Sequence, residues 1–369
     1  MTNNKKIRVG ITQGDTNGIG LEVVLKVLAV PEFMEICTPI IYGSSKVLTY
    51  HRKAIDMPSF QVNRTGDVER IRENMPNIVE VMDNDEEVKI ELGVPSKQAG
   101  QAAFKALEVA VSDLKQGRID VLVTAPINKD NIQSEEFQFP GQTEYLQASA
   151  GGGDKALMIL CTDSLRVALV TTHLPLAKLP AAITTDRIQK RLREFNASLQ
   201  RDFGIERPRI AVLSLNPHAG ENGLLGTEEQ EIIRPAIDNA YDNDRIICFG
   251  PYAADGFFGS QKYRHFDGVL AMYHDQGLAP FKALAMDRGV NFTAGLPFVR
   301  TSPDHGTGYD IAGKGVAREE SMRQAIYTAI DIWRNRRKYD EDHANPLRKQ
   351  YHDKGKDNVV LDLTKEEDS

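Results

Sequence analysis

A chain of 369 residues with 41% hydrophobic content can bury more than one small core, which fits two domains. A net charge of −7 and a pI near 5.7 speak against a nucleic-acid or anionic-membrane partner, and 26% charged with 7% aromatic residues is an ordinary soluble-enzyme composition. Three widely spaced cysteines, Cys37, Cys161 and Cys248, exclude a disulfide framework and fit a reducing compartment.

The N-terminus has two lysines but no long apolar stretch, so no signal peptide is expected. No run approaches the roughly 18 residues of a membrane span. The expected location is the cytoplasm. Residues Ile7–Thr12 (IRVGIT) read as a strand. The turn Gly14-Asp15-Thr16-Asn17-Gly18-Ile19-Gly20 follows, then the helical LEVVLKVLAV. The spacing G-x-x-x-G-x-G differs from the dinucleotide fingerprint G-x-G-x-x-G. The turn either presents backbone N–H groups to a site or simply joins strand to helix.

Thr38–Gly43 (TPIIYG) is a second strand, with a helix starting after Gly43-Ser44-Ser45. From about Asp56 to Gly93 the pattern is less periodic, and the acidic run Asp83–Glu87 reads as solvated surface. Gln98–Gln116 has apolar residues at helical spacing, with Gly117 as the stop. Ile119–Asp130 is a buried strand running into a Pro-broken loop. Pro140-Gly141 makes a turn, and a helix starts at Thr143 whose amides and hydroxyl suit an anion.

Three β-type runs then end near a histidine. LRVALVTTH ends in His173, RIAVLSLNPH in His218 and FDGVLAMYH in His274. Open α/β sheets bind ligands outside the carboxyl ends of their strands. One such histidine is more often structural, but three in the same topological place could converge on a metal. His51, His265, His343 and His352 lack that placement and read as structural or surface residues. Between these runs, Thr184–Leu199 is helical, and Thr227-Glu228-Glu229-Gln230 reads as a capping box for a helix kinked or shortened by Pro235. Ser321–Arg336 is an amphipathic helix holding Trp333, and a charged extension, docked or frayed, follows from about Arg337.

A tri-histidine site suits Zn²⁺ or another first-row divalent ion with positions open for substrate. Asp275 and Asp255 are the nearby acids that could orient a ligand histidine or accept a proton, although Asp255 before Gly256 equally fits a turn. Lys282, Asn291 and Arg300 recur at nearly regular spacing among apolar and Gly residues, where an isolated cation usually serves an anion or carboxylate. Metal and cations together imply an anionic, oxygen-rich substrate.

The segments GDTNGIG, VTAPINK, FPGQTEYL, TTHLPL, LNPHAGENGLLGTEE, GPYAADGFF, MYHDQGLAPFK, RGVNFTAGLPFVRTSPDHGT and DIAGKGVA, in that order from about Ile7 to Ala317, resemble the 4-hydroxythreonine-4-phosphate dehydrogenase family of vitamin B6 biosynthesis. DHGTGYDIAGKGVA is also similar to the cofactor loop of isocitrate and isopropylmalate dehydrogenases. The resemblance implies an α/β fold of two α/β domains with the active-site cleft between them. It implies residues 1–134 plus 288–369 as the domain carrying the cofactor loop, and 135–287 as the domain carrying metal ligands and dimer interface. It places metal ligands on His173, His218 and His274, and substrate contacts on Gln142, Thr143, Lys282, Asn291 and Arg300. NAD, or NADP in its place, would lie at Asp304, His305, Gly306 and Thr307. The metal would be zinc first, with magnesium, manganese or cobalt as the other candidates. A homodimer would share the site across its interface. The implied reaction is oxidation and decarboxylation of 4-phosphooxy-L-threonine to 3-amino-2-oxopropyl phosphate, with Lys282 stabilising the enolate.

Two departures stand out. Gln142 replaces the family's usual His, so a substrate contact survives there but a titrating group does not. Thr16 and Asn17 stand where the family more often has Pro and Ala. Paralogues act on phosphorylated four-carbon sugar acids, so a threonate or erythronate 4-phosphate dehydrogenase is the alternative. A metal- and phosphate-binding protein without redox turnover is a third reading, against which the DHGT loop counts.

Overall fold

The computed structural model describes residues 6–82, 89–151 and 156–345. The acidic run Asp83–Glu87 and the chain beyond residue 345, including His352, lie outside the described residues. Twelve strands form one sheet: β1 Ile7–Thr12, β2 Cys37–Gly43, β3 Asn63–Thr65, β4 Asn77–Glu80, β5 Val121–Val123, β6 Leu157–Cys161, β7 Arg166–Leu169, β8 Arg209–Leu213, β9 Ile247–Tyr252, β10 Gly268–Ala271, β11 Val290–Ala294 and β12 Val299–Pro303. Their order is β3-β4-β2-β1-β5-β12-β11-β6-β7-β10-β8-β9.

The pairs are parallel except where β11 meets β12 and β6, and where β6 meets β7. Helices cover the faces of the parallel parts, so a strand such as β2 is buried at every residue and reads as a continuous apolar run. No helix among the described residues is long and apolar enough to cross a membrane.

Most expected elements form with their expected ends. Helix Lys97–Lys115 starts at Ser96, whose Oγ accepts from the Ala99 amide, and stops at Gly117 with φ 69°. Helix Thr185–Arg201 is capped by Thr184 Oγ1, which accepts from the Arg187 amide. β3 and β4 form inside the stretch whose pattern is weakest, because both are short and held by parallel pairing, β4 to β2 and the edge strand β3 to β4.

The expected helix opens at Thr227, whose carbonyl receives the Gln230 and Glu231 amides, while the Glu229 carboxylate accepts from the amides of Leu215 and Asn216, each at 2.8 Å. Pro235 is accommodated by a π-helical turn, Glu229–Ile233, and falls at the start of helix Arg234–Asp244 rather than kinking its interior. The last helix runs on to Ala344, past Arg337, and Asp340 on it takes a fork of hydrogen bonds from Arg201 at 3.0 and 2.8 Å.

Candidate active site

β7, β10 and β8 lie side by side and parallel, so their carboxyl ends share one sheet edge. Chain continuation beyond the strands is ordered there. The amides of Val170 and Thr171 bond to the carbonyls of Ala271 and Met272, and Thr171 Oγ1 also donates to Met272. His173 and His274 emerge from these ends with ring centroids 5.9 Å apart.

The block His274-Asp275-Gln276-Gly277 opens helix His274–Ala285, and each residue has a job. Asp275 Oδ1 lies 2.7 Å from His274 Nδ1, which fixes the ring and leaves Nε2 toward the cleft. Gln276 Oε1 accepts from the Met272 amide, and its Nε2 donates to the Ser214 carbonyl, so it ties the ends of β10 and β8 together. Gly277 lets the helix lie close on the sheet: a Cβ there would come within 2.9 Å of Leu169 and Val167 side chains.

His173 and His274 line a cleft of about 550 Å³, together with Gln142, Thr143, Lys282, Asn291, Arg300 and Asp304. A smaller recess of about 240 Å³, reaching Thr124 and His305, shares Gln142, Lys282, Asn291, Arg300 and Asp304 with it. A larger cavity of about 830 Å³ adjoins the cleft, sharing Gln147, Ala156 and Leu157 with it. Its charged side chains are paired, Arg336 with Asp202, Arg201 with Asp340 and Glu194 with Arg191, so it presents little unsatisfied chemistry.

His218 and Asp255 are not among the residues lining the cleft. His218 is exposed on a loop whose residues His218 to Asn222 all have positive φ, a turn anchored by Glu229. Asp255 is exposed on the short helix Ala254–Gly259. Among the described residues of one chain, no three His, Cys, Asp or Glu side chains gather where they could hold a metal. The expected three-histidine convergence is therefore, within one chain, a pair.

Arg300 is the electrostatic centre of the cleft. It is 4% exposed, on β12, and its register beside Leu122 of β5 puts it next to Thr124 just past that strand. Its Nε and Nη2 donate to Thr124 Oγ1 at 3.0 and 2.6 Å, Nη1 donates to Thr293 Oγ1 at 3.2 Å, and Nη2 donates to Gln142 Oε1 at 3.2 Å. None of these partners is charged. Burial lowers the guanidinium pKa from 12.5 to about 10, with only Glu144 acting against it through space. The group stays cationic at neutral pH.

Lys282 lies 3.4 Å from Asp304, whose pKa is raised by burial against the opposing pull of that lysine. Asn291 Oδ1 is buried with no partner, an open acceptor on the cleft-lining strand β11. His305 Nδ1 lies 3.0 Å from the Gly306 carbonyl, its Nε2 has no partner, and burial lowers its pKa.

The Gly-rich turn 14–20 serves the 304–309 segment. The Ile19 amide donates to the Thr307 carbonyl at 2.9 Å, and a Cβ on Gly18 would sit 2.7 Å from that oxygen. Asp15 Oδ2 accepts from Tyr309 Oη and Asn131 Nδ2, both at 2.8 Å. Beyond joining strand to helix, the turn therefore braces the DHGT loop, a role outside both expected readings. Sequence reasoning passed over Thr124, Thr293, Glu229 and Asn131. Only Thr124, in VTAP at a strand's carboxyl end, carried a signal that could have found it.

The family model for pyridoxal phosphate biosynthetic protein PdxA matches residues 35–329. A curated 4-hydroxythreonine-4-phosphate dehydrogenase of Bacteroides thetaiotaomicron is 59% identical over 360 residues, covering 97% of each chain. A putative D-threonate 4-phosphate dehydrogenase of Oceanobacillus iheyensis is 39% identical, over 89% of this chain and 98% of that one. The crystal structure of 4-hydroxythreonine-4-phosphate dehydrogenase from Klebsiella pneumoniae superposes with a TM-score of 0.77 at 34% identity, over 90% of this chain and 99% of the other.

Proposed function

The chain belongs to the PdxA family of pyridoxal phosphate biosynthetic proteins, and on that premise we propose that it oxidises 4-phosphooxy-L-threonine with a nicotinamide cofactor, NAD first and NADP second. It is a dehydrogenase. Oxidation at the carbon bearing the 3-hydroxyl gives a β-keto acid, whose loss of CO₂ and reprotonation leave 3-amino-2-oxopropyl phosphate. One observation carries the substrate class: a buried, permanently charged guanidinium faces the cleft with no carboxylate partner. A charge left in that state is compensated by an anionic ligand.

Arg300 and Lys282 hold the substrate's phosphate and carboxylate, and the Thr143 end of helix Gln142–Ser149 adds amide donors. Asn291 Oδ1 accepts from the substrate's ammonium or hydroxyl. Lys282 stands at the carbon chain and stabilises the negative charge left by CO₂. Asp275 orients His274, and Asp255 of the same chain does not line this cleft. The loop Asp304, His305, Gly306 and Thr307 receives the cofactor, which supplies the hydride acceptor.

His173 and His274 fit two positions of a divalent-metal site, since two imidazoles face each other and one is fixed by a carboxylate. Zinc is the first candidate, then magnesium, manganese or cobalt. When bound, such an ion would polarise the hydroxyl oxygen on the carbon being oxidised. His218 of a second copy would supply the third ligand. The loops involved expose Leu176, 72%, and Leu224, 79%, which a homodimer would cover. In this arrangement the described residues of 1–134 with 288–369 and those of 135–287 form the two sides of the cleft.

NADH formation, followed by absorbance with and without added divalent metal, tests the reading. 4-Phosphooxy-L-threonine should turn over fastest in a panel with threonate and erythronate 4-phosphates. Faster turnover of a sugar-acid phosphate would overturn the substrate assignment, and no turnover of any would overturn the activity.

A further inference from the structure

Gln142 occupies the position where a direct substrate contact was expected, yet its polar atoms are already engaged. It is 8% exposed. Its Nε2 donates to the Ala125 carbonyl at 3.1 Å, and its Oε1 accepts from Arg300 Nη2 at 3.2 Å. The Arg300 fork has five N–H donors. Four are used by Thr124, Thr293 and Gln142, leaving one on Nη1 outside these bonds.

Resting on the function proposed above, we infer that Gln142 is a positioning residue that acts on the substrate through Arg300. Its amide oxygen holds the guanidinium plane without neutralising it. An ionised carboxylate at the same place would form an internal ion pair and compete with the substrate anion for the same charge. The neutral amide thus sets both the aim of Arg300 and the charge it offers. One of the amide's two donors is anchored to backbone, so Gln142 cannot swing to follow a ligand without breaking the bond to Ala125.

A double-mutant cycle tests this, because two residues acting as one unit are not additive. Gln142→Leu should raise KM for 4-phosphooxy-L-threonine about three- to tenfold while kcat changes less than about twofold, the loss of roughly one hydrogen bond's worth of aim. Made in an Arg300→Lys background, the same substitution should add less than about twofold. If it reproduces its full factor there, Gln142 touches the substrate directly and the inference is wrong. Gln142→Glu should raise KM by more than about 100-fold without lowering the melting temperature. Gln142→His, with a neutral imidazole, should bring KM back within a few-fold of wild type. A Glu variant that binds like wild type would also overturn the inference. Should Arg300→Lys fail to fold, Arg300→Met serves as the background, and calorimetric titration with the substrate replaces KM where turnover is lost. If wild type ignores 4-phosphooxy-L-threonine, the function proposal fails alone, and the cycle is read with whichever sugar-acid phosphate turns over.

Discussion

Replacing Arg300 by Met should separate stability from function. The guanidinium pKa falls from 12.5 to about 10, and roughly 1.4 kcal/mol per unit makes the charged form about 3 kcal/mol dearer in the fold than in water. Methionine removes that cost but strands Gln142 Oε1, which costs about 1–3 kcal/mol, while the two threonine hydroxyls can rotate to other partners. The two effects nearly cancel, so the variant should unfold within about 2 kcal/mol of wild type. Ligand binding should not cancel. Wild type at 100 times its dissociation constant for substrate gains about 2.7 kcal/mol. With an unfolding entropy of about 2.1 cal/mol/K per residue over 369 residues, that is a rise of about 3–4 °C in melting temperature. The variant at the same substrate concentration should show less than about 1 °C, as a lost charge-assisted contact weakens binding about 30-fold or more. The assay is a thermal melt with and without substrate. A variant that loses more than about 4 kcal/mol yet keeps the substrate-induced rise would refute the view that Arg300 is held unpaired for the ligand.

His51 gives a pH prediction. It is fully buried with Nε2 2.7 Å from the Thr16 carbonyl and Nδ1 without a partner, and burial lowers its pKa below 6.5. The unfolded chain therefore binds the proton first, so stability is full above about pH 6.5 and is lost as pH falls toward the folded value. Denaturant midpoints between about pH 5 and pH 8 should show this slope, and His51→Gln should flatten it; an equal slope in both would assign the effect elsewhere. Gly18→Ala pushes a Cβ to 2.7 Å from the Thr307 carbonyl oxygen, so NADH binding followed by fluorescence should weaken about tenfold or more, with substrate affinity little changed. Asp275→Asn removes the anionic brace on His274 and should lower zinc affinity about 10- to 100-fold in a competitive chelator titration. An unaltered affinity would show that the His274–Asp275 bond does not serve a metal.

Strand ends and helix stops were legible because local chemistry decides them. Gly117 ends helix Lys97–Lys115 as expected, and β1 begins and ends where its apolar alternation does. The convergence of Gln142, Lys282, Asn291 and Arg300 on one cleft was legible only through resemblance, since these residues sit on two helices and two antiparallel strands whose pairing no local pattern announces. Glu229 was passed over for a physical reason. A glutamate two residues after a threonine looks like part of a helix start, but its carboxylate, 14 residues from Leu215, is taken by two loop amides. The same limit hid Thr124 and Thr293, whose hydroxyls mean nothing until Arg300 is placed between them.

The valences left open in this cleft define its ligand more closely than its shape does. The other arginine that is buried among the described residues, Arg336, meets Asp202 at 2.6 Å. In the cleft Lys282 keeps Asp304, but other valences stay open. A guanidinium is given only neutral partners, an amide oxygen of Asn291 is given none, and two imidazoles face one another across 5.9 Å. Each is a cost that folding alone would remove by a small change of sequence, such as a carboxylate at position 142. Their retention together specifies a molecule with an anion for Arg300, a donor for Asn291 and an oxygen for the histidine pair. 4-Phosphooxy-L-threonine carries all three, with its ammonium as the donor. Its sugar-acid analogues keep the anions and the oxygen but can offer Asn291 only a neutral hydroxyl, so Asn291 is where the two substrate classes should part.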